Sequence, residues 1–444
     1  MEEKIKILQP IVSTTALSRL EPEALSQYFE LAKKANNPYL HWDKLRFKSW
    51  VPADKETFWS VVKLNRKFLS VVTPIVDNEG KYFTMNAETY TELLHTIDVE
   101  MAGNFMGLQN FSESDRQQFI ERGRIEEAIA SSQLEGANTA RRAAKQMLME
   151  GRAPQTHGER MIVNNHAALT QVEEDWKNEP LSIDLLLEMH RFITKDTLPK
   201  AQQGILRNTY DEHGEPLVVT PFDDRKIAYT TPPKEFVEAQ LPRLIAFAND
   251  QLTTPFIHPI IKGILLHFWI GLLHPFEDGN GRVARCIFYW YVLRHNYWAF
   301  SYLALTEGII KSSKQYAWAY IYSEQDDNDL NYFIDYNMRQ IHLARVHLKQ
   351  YLERKVQENR SMVACIKQDM NFNQRQINLL QYLAKHEQDR TSLAIHAKIN
   401  KITPATASAD LHGLMEKELL VKRRQGKYVF YYPTPRVRSL FRYN

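Results

Sequence analysis

Between residues 112 and 350 the apolar positions return at intervals of three and four. ERGRIEEAIASSQLEG, ERMIVNNHAALTQVEEDW, LSIDLLLEMHRFITKD and PKEFVEAQLPRLIAFAND all keep this rhythm, which predicts a succession of amphipathic helices. Ahead of them, YLHWDKLRFKSWVP reads as an aromatic-anchored loop and short helix around Trp42 and Trp50, with helical stretches following to about residue 100. One segment breaks the pattern. PLVVTPFDDRKIAYTTPP has two short β-rich runs around a turn and predicts a hairpin over residues 216–233, inserted among helices. The stretch NYFIDYNMRQIHLARVHLKQYLERKVQ then predicts a long connecting helix.

Past residue 371 the order becomes helix, helix, helix and β-hairpin. Thr391 and Thr403 are placed as N-caps, with Pro404 at a tolerated first helical position. That order matches a winged helix-turn-helix of about 70 residues. Its third helix, TPATASADLHGLMEKE, turns Leu411, Leu414 and Met415 inward, with Thr406 and Ser408 among the outer positions, and has no arginine in its first turns, so base-edge readout is thin. The wing, VKRRQGKY, carries Lys422, Arg423, Arg424 and Lys427, a set suited to phosphates and equally to plain solvated surface. Duplex binding and protein docking both stay open for such a module.

Composition narrows the field. Lysines and arginines (56) less acids (53) give +3, so bulk charge points to neither nucleic acid nor membrane, and any basic surface must be local. The two cysteines, Cys286 and Cys365, lie far apart with no CxxC spacing and read as small buried hydrophobes in a reducing compartment. MEEKIKILQP lacks the apolar core of a secretory signal, so a cytoplasmic location is expected. The greasiest run, residues 256–276, holds His258, Lys262 and His267 and reads as a buried core helix rather than a membrane span.

That run ends in HPFEDGNGRVAR, residues 274–285, where a proline breaks the helix and polar chemistry crowds the turn. Gly279 and Gly281 let the backbone curl close to a ligand, and the next helix begins near Arg282. Backbone N–H groups at a helix N-terminus form an anion site. Arg282 and Arg285 share one face of that first turn, where two cations oppose the helix dipole by roughly 0.3–1 kcal/mol each. An anion must offset them, and phosphate suits the guanidinium fork. Asp278 is the single hard oxygen ligand that a phosphate-bound Mg²⁺ takes among waters. His274 can accept a proton from a hydroxyl near neutral pH. The loose match of GNGRVA to the dinucleotide pattern fails, since a helical run and not a strand precedes it. No GxxxxGK[ST] or HExxH occurs, and nothing joins His267 and His274 to complete a zinc set.

HPFEDGNGRVAR resembles the signature of Fic proteins, H-P-F-x-[DE]-G-N-G-R-x-x-R, with every defined position filled. The similarity extends over residues 110–345. It implies a mostly α fold: a Fic-type helical core with a β-hairpin flap, followed by the winged helix. The corresponding divisions are 1–110 for an N-terminal associated region, 111–345 for the Fic domain with an inhibitory helix at 124–136, 346–370 for the connecting helix and 371–435 for the winged helix. The resemblance also implies roles. His274 would deprotonate a target hydroxyl, Phe276 would anchor the loop and Asp278 would hold Mg²⁺ on the α- and β-phosphates of ATP. Gly279, Asn280 and Gly281 would form the anion nest, with Arg282 on the β-phosphate and Arg285 on the γ-phosphate. The reaction implied is transfer of AMP to a protein Ser, Thr or Tyr, self-modification included, with release of pyrophosphate; a homodimer is implied as well. Tyr316 matches the first of two tyrosines the family places near the nucleotide, while Ala317 replaces the second. The hairpin takes the place of the family's flap, which clamps a target segment by strand addition, with Ile227, Ala228 and Tyr229 as the contact strand.

A second pattern precedes the signature. By its rhythm the helix from about Arg124 ends at Gly136, which sets the Glu135 carboxylate at the negative end of a helix dipole and invites a cationic partner. Ser131, one turn back, is placed to hold that carboxylate by a hydrogen bond. Ser131-x-x-x-Glu135-Gly136 resembles the Fic inhibitory motif, whose glutamate pairs with the second signature arginine, here Arg285, in the intramolecular class II arrangement. The competing functions are a deAMPylase in which Glu135 orients a water, and a DNA-binding regulator whose Fic-like domain senses nucleotide. Phosphate or phosphocholine transfer is a further variant, disfavoured by the complete second arginine.

Overall fold

Prolines, glycines and apolar spacing divide the chain into helices joined by small strand pairings. The computed structural model describes residues 3–18, 20–86, 88–103, 113–211, 214–220, 226–252, 255–366, 372–385, 389–426 and 428–440. In chain order the first elements are β1 (Glu3–Lys4), α1 (Pro22–Ala35), α2 (Lys55–Leu69), β2 (Val71–Val76) and β3 (Tyr82–Met85). Next come α3 (Glu113–Leu134), α4 (Arg141–Glu150), α5 (His157–Glu174) and α6 (Ile183–Thr194). The central part holds β4 (Val218–Val219), β5 (Lys226–Ile227), β6 (Tyr229–Thr230), α7 (Lys234–Ala248), α8 (Pro259–Leu273) and α9 (Asn280–Arg294). Last are α10 (Ser313–Gln325), α11 (Asn331–Ile366), α12 (Gln374–Lys385), α13 (Leu393–Asn400), α14 (Pro404–Glu416), β7 (Leu420–Gln425) and β8 (Tyr428–Pro433). The protein is mostly α, and each sheet among the described residues has two strands.

Helix α8 sets the centre. Apolar residues ring it on every side, and such a helix must be enclosed. Its side chains are almost all buried, Trp269 and Phe268 completely so. No helix among the described residues is long and apolar enough to cross a membrane. Pro259 opens α8 at its first turn and the His258 ring caps the Ile260 N–H at 3.3 Å. It stops at His274, whose φ of 45° is left-handed, and Pro275 cannot extend it. Helix α9 returns along α8, and Gly263 allows the approach: a Cβ there would lie 3.2 Å from Phe288 and Val292.

Helix α3 begins at Glu113, eleven residues before the expected start near Arg124. Gly123 does not interrupt it because that glycine is where the chain at Ser301 and Tyr302 crosses closest; a Cβ would meet the Ser301 carbonyl at 2.8 Å. The C-terminus falls as expected, with Gly136 at φ 89°. The hairpin forms by antiparallel pairing of β4 with β6, Val218 opposite Thr230 and Val219 opposite Tyr229. Its turn, residues 221–225, lies outside the described residues. Strand β5 does something the pattern did not predict: it pairs in parallel with β1 from the start of the chain.

Helices α1 and α2 enclose their own small core around Phe58, Trp59 and Trp42. Polar side chains join it to the rest. Buried Arg66 donates to the Tyr332 hydroxyl (2.8 Å) and to the carbonyls of Ala35 and Leu40. Buried Lys63 meets the fully buried Asp326 at 2.6 Å and the exposed Asp327 at 3.0 Å. Removing one partner of a buried pair strands the other charge, which typically costs 3–5 kcal/mol. Because Asp327 stays in reach of Lys63, Asp326→Ala should lower unfolding stability by about 3 kcal/mol, read as the shift in a urea midpoint; a change under about 0.5 kcal/mol would show that this pair does not hold the two parts together.

Helix α11 is continuous from Asn331 to Ile366, so residues 346–366 extend a helix that starts well before them. Beyond it, α12, α13, α14 and the β7–β8 hairpin close over Leu380, Leu383, Leu411, Leu414 and Leu419. Thr403 caps α14, accepting from the Thr406 N–H at 3.2 Å, with Pro404 next. Thr391 is not a cap. Ser392 caps α13 instead, accepting from Ile395 at 3.2 Å, because Thr391 exchanges both main-chain hydrogen bonds with Tyr431 of β8. Lys427 lies outside the described residues. This C-terminal part rests on α3 and α4 through Gln118 to Asn400 (2.8 Å) and Arg390 to Glu150 (3.3 Å).

Candidate active site

The turn between α8 and α9 is held from three directions. Asn280 braces it internally: Nδ2 donates to the Phe276 carbonyl (2.7 Å) and Oδ1 accepts from the Phe276 N–H (2.9 Å). Phe276 is fully buried and stacks on the His190 ring with centroids 3.8 Å apart. His190 accepts from the Gly204 N–H on Nδ1, so Nε2 carries the proton it donates to the Asp278 carbonyl at 2.9 Å. Burial pushes the His190 pKa down to about 4, which keeps that tautomer neutral. From below, Arg207 donates to the His274 carbonyl at 2.6 Å and to the Pro232 carbonyl at 2.8 Å, tying loop to flap.

Helix α9 starts at Asn280 behind Gly279, whose φ is 86°, and has no side-chain cap. Its first N–H groups and the dipole therefore present positive potential. Two arginines follow on the same turn, both buried. Arg282 donates to the half-exposed Asp278 carboxylate at 3.0 Å and to the Ile193 carbonyl at 3.3 Å. Arg285 meets Glu135 at 2.8 Å. Burial alone would lower the Arg285 pKa, but the Glu135 carboxylate, Tyr316 and Glu127 together outweigh that and the net direction is up. Glu135 also lies against the loop, since a Cβ on Gly281 would overlap its carboxylate. Arg285 Nη1 is buried with no hydrogen-bond partner among the described residues, 3.2 Å from that same Cβ position. A donor left free beside an uncapped helix N-terminus is a place for an acceptor oxygen.

Ser131 is brought to this cluster, yet not as expected. It does not hold Glu135. Its hydroxyl accepts from Arg285 Nε at 2.8 Å and its carbonyl from Nη2 at 3.1 Å, because the guanidinium inserts between Ser131 and Glu135 and has donors to spare where a carboxylate has none. A third residue on the same face of α3, Glu127, was not singled out by the sequence pattern. It is fully buried, accepts from the Thr306 main chain at 2.9 Å and contributes to the field at Arg285. Its signal was the spacing: 127, 131 and 135 are each one turn apart.

His274 sits at the mouth of this site. Burial first, and the Arg207 cation second, push its pKa down to about 4, so the imidazole is neutral at physiological pH. The Gly271 carbonyl pulls the other way, but less strongly than burial. Tyr316 lies deeper, its hydroxyl 2.8 Å from His267 Nε2. One turn on from Tyr316, Tyr320 packs against α8: a Cβ on Gly271 would lie 2.6 Å from its hydroxyl. On the flap, Ala228 pairs with Val219 (2.9 Å) and the Tyr229 hydroxyl donates to the Leu272 carbonyl at 2.8 Å, which puts β6 beside the end of α8. The Ile227 carbonyl accepts from the Ile5 N–H at 2.8 Å. Among the described residues no three His, Cys, Asp or Glu side chains gather into a metal cage. Asp278 offers the loop a half-exposed carboxylate, a donor that fits Mg²⁺ only when phosphate oxygens and waters complete the shell. Cys286 is buried in α9, its thiol pushed up to about 12 by burial.

An apolar helix broken into a glycine loop, an uncapped helix start and two buried arginines define a helical domain with an anion-receptive site. Residues 180–292 match the Fic/DOC family model. Over 144 residues the chain is 31% identical to protein adenylyltransferase fic-1 of Caenorhabditis elegans and 30% identical to that of Caenorhabditis briggsae. Those matches cover 32% of this chain and 25% of each relative, so the chain spans about a quarter of the length of the curated relatives it matches. Solved structures similar to it include a Fic family protein from Desulfovibrio desulfuricans G20 (TM-score 0.47, 18% identity, 78% of this chain and 95% of that one). Fic-1 from C. elegans is another, at TM-score 0.47 and 16% identity over 78% of this chain and 91% of that one.

Proposed function

We propose that this protein is an autoinhibited protein adenylyltransferase. The observation that carries the reading is the Glu135 carboxylate on Arg285, pressed against Gly281, at a place where a phosphate would find both an uncapped helix start and a free guanidinium donor. ATP would lay its phosphates along residues 279–281, with Arg282 on the β-phosphate and Arg285 on the γ-phosphate. Asp278 would hold Mg²⁺, which when bound supplies charge neutralisation to the α- and β-phosphates. His274 takes the proton from a target hydroxyl as that oxygen bonds to the α-phosphorus. The bond to the bridging oxygen breaks and pyrophosphate leaves. Such chemistry depends on positioning and electrostatics, which a rigid loop tied by Asn280, His190 and Arg207 provides. With Glu135 in place the γ-phosphate lacks its clamp. Mass spectrometry of the full-length protein and its Glu135→Gly variant after incubation with Mg·ATP tests the reading. Added AMP on the variant supports it; unmodified protein in the presence of every offered hydroxyl target removes it. Release of free AMP from an AMP-modified protein would instead assign the site to hydrolysis.

The C-terminal helices and hairpin we read as a winged helix, with Lys422, Arg423 and Arg424 exposed along β7. If the wing follows a duplex backbone, replacing all three with alanine should reduce the salt dependence of binding by roughly 0.9 in the log–log slope for each phosphate no longer neutralised. No duplex binding by the intact protein at low salt would leave protein docking as the role of this module.

A further inference from the structure

The flap edge that would receive a target segment is already taken. Residues 3 and 4 pair in parallel with Lys226 and Ile227, and the Ile5 N–H donates to the Ile227 carbonyl at 2.8 Å. A two-residue ladder alone holds little. The segment is fixed a second time by Gln325 at the end of α10, whose carboxamide donates to the Ile5 carbonyl at 2.8 Å and accepts from the Ile7 N–H at 3.0 Å. Ile7 then packs onto the cluster of Tyr39, Tyr322 and Tyr332. The side chains alternate, with Lys4 and Lys6 exposed and Ile5 and Ile7 half-buried. Strand addition recognises main chain in common and chooses partners by the side chains at alternate positions.

We propose that residues 3–7 are a resident strand on the β5 edge of the flap, that they show the class of segment this edge accepts — an extended peptide with isoleucine-like residues on either side of the Gln325 carboxamide — and that a protein target must displace them to reach His274. The placement of targets on this edge rests on the function proposed above; the occupancy and its selectivity do not. A tethered strand competes at an effective concentration of about millimolar, so a free peptide cannot replace it easily. Proline at position 5 has no N–H to give Ile227 and should free the edge while leaving the loop and both arginines untouched.

The test uses a fluorescently labelled synthetic peptide, EKIKIL, and the full-length protein without nucleotide. Binding to Ile5→Pro should be at least about tenfold tighter than to the unmodified protein. It should fall back when Gln325→Ala is added or when the peptide carries aspartate in place of its second isoleucine. Hydrogen exchange of the Ile5 and Ile7 amides should be slow in the unmodified protein. Equal peptide binding to both proteins, fast exchange of those two amides, or indifference to both the Gln325 and the isoleucine changes would each overturn the proposal. Because no step requires ATP, peptide binding as described together with absent AMP transfer by Glu135→Gly would sink the adenylyltransferase reading alone.

Discussion

Replacing Glu135 with glycine is expected to raise AMP incorporation from α-labelled ATP, self-modification included, on the order of a hundredfold, the scale on which one well-placed charge-stabilising donor acts. The substitution removes the only carboxylate that Arg285 touches directly among the described residues, at 2.8 Å. It leaves the guanidinium in place, since Ser131 still takes Nε and Nη2. Glu127 stays one turn behind Ser131 on the same helix, so an acidic side chain remains in the neighbourhood of the arginine. The γ-phosphate should then gain its clamp and the α-phosphate should turn towards His274. Labelling of the unmodified protein equal to that of the variant would remove the brake from this account.

His274→Ala in the Glu135→Gly background should reduce incorporation by about 10²–10⁴-fold, the usual contribution of a general base, with ATP binding retained. The pH profile gives this prediction a sharper edge. A base whose folded pKa is pushed down to about 4 is fully deprotonated at neutrality and loses activity only as pH falls towards that value. Between pH 6 and pH 8 the rate should therefore change by less than about twofold. An imidazole titrating near its ordinary value of about 6.5 would lose about three-quarters of its rate at pH 6. Measuring initial rates at those two pH values separates the cases.

Much of the loop was legible because its causes are local. A left-handed residue before proline, two glycines and an asparagine that bonds back four residues are all written within positions 274–281. The Glu135–Arg285 pair was legible through the motif and its place at a helix end. What the pattern misassigned or missed depends on distant chain. Ser131 proved to hold the arginine because α3 and α9 meet at an angle that spacing along one helix does not reveal. His190, Arg207 and Glu127 each act across tens of residues, and nothing in HRF, LRN or IEE distinguishes them from ordinary helix or loop residues. The β1–β5 pairing joins segments more than 220 residues apart and was hidden for the same reason.

ATP and ADP binding to the unmodified protein and to Glu135→Gly, by calorimetry with Mg²⁺ at fixed ionic strength, puts the competition for Arg285 to its most direct test. The two nucleotides differ in the γ-phosphate alone. In the variant, ATP should bind at least about tenfold tighter than ADP, a charge-assisted pair being worth about 1.5–3 kcal/mol, while in the unmodified protein the two should bind alike. An ATP-to-ADP preference that is the same in both proteins would mean that residue 135 and the last phosphate do not share a guanidinium.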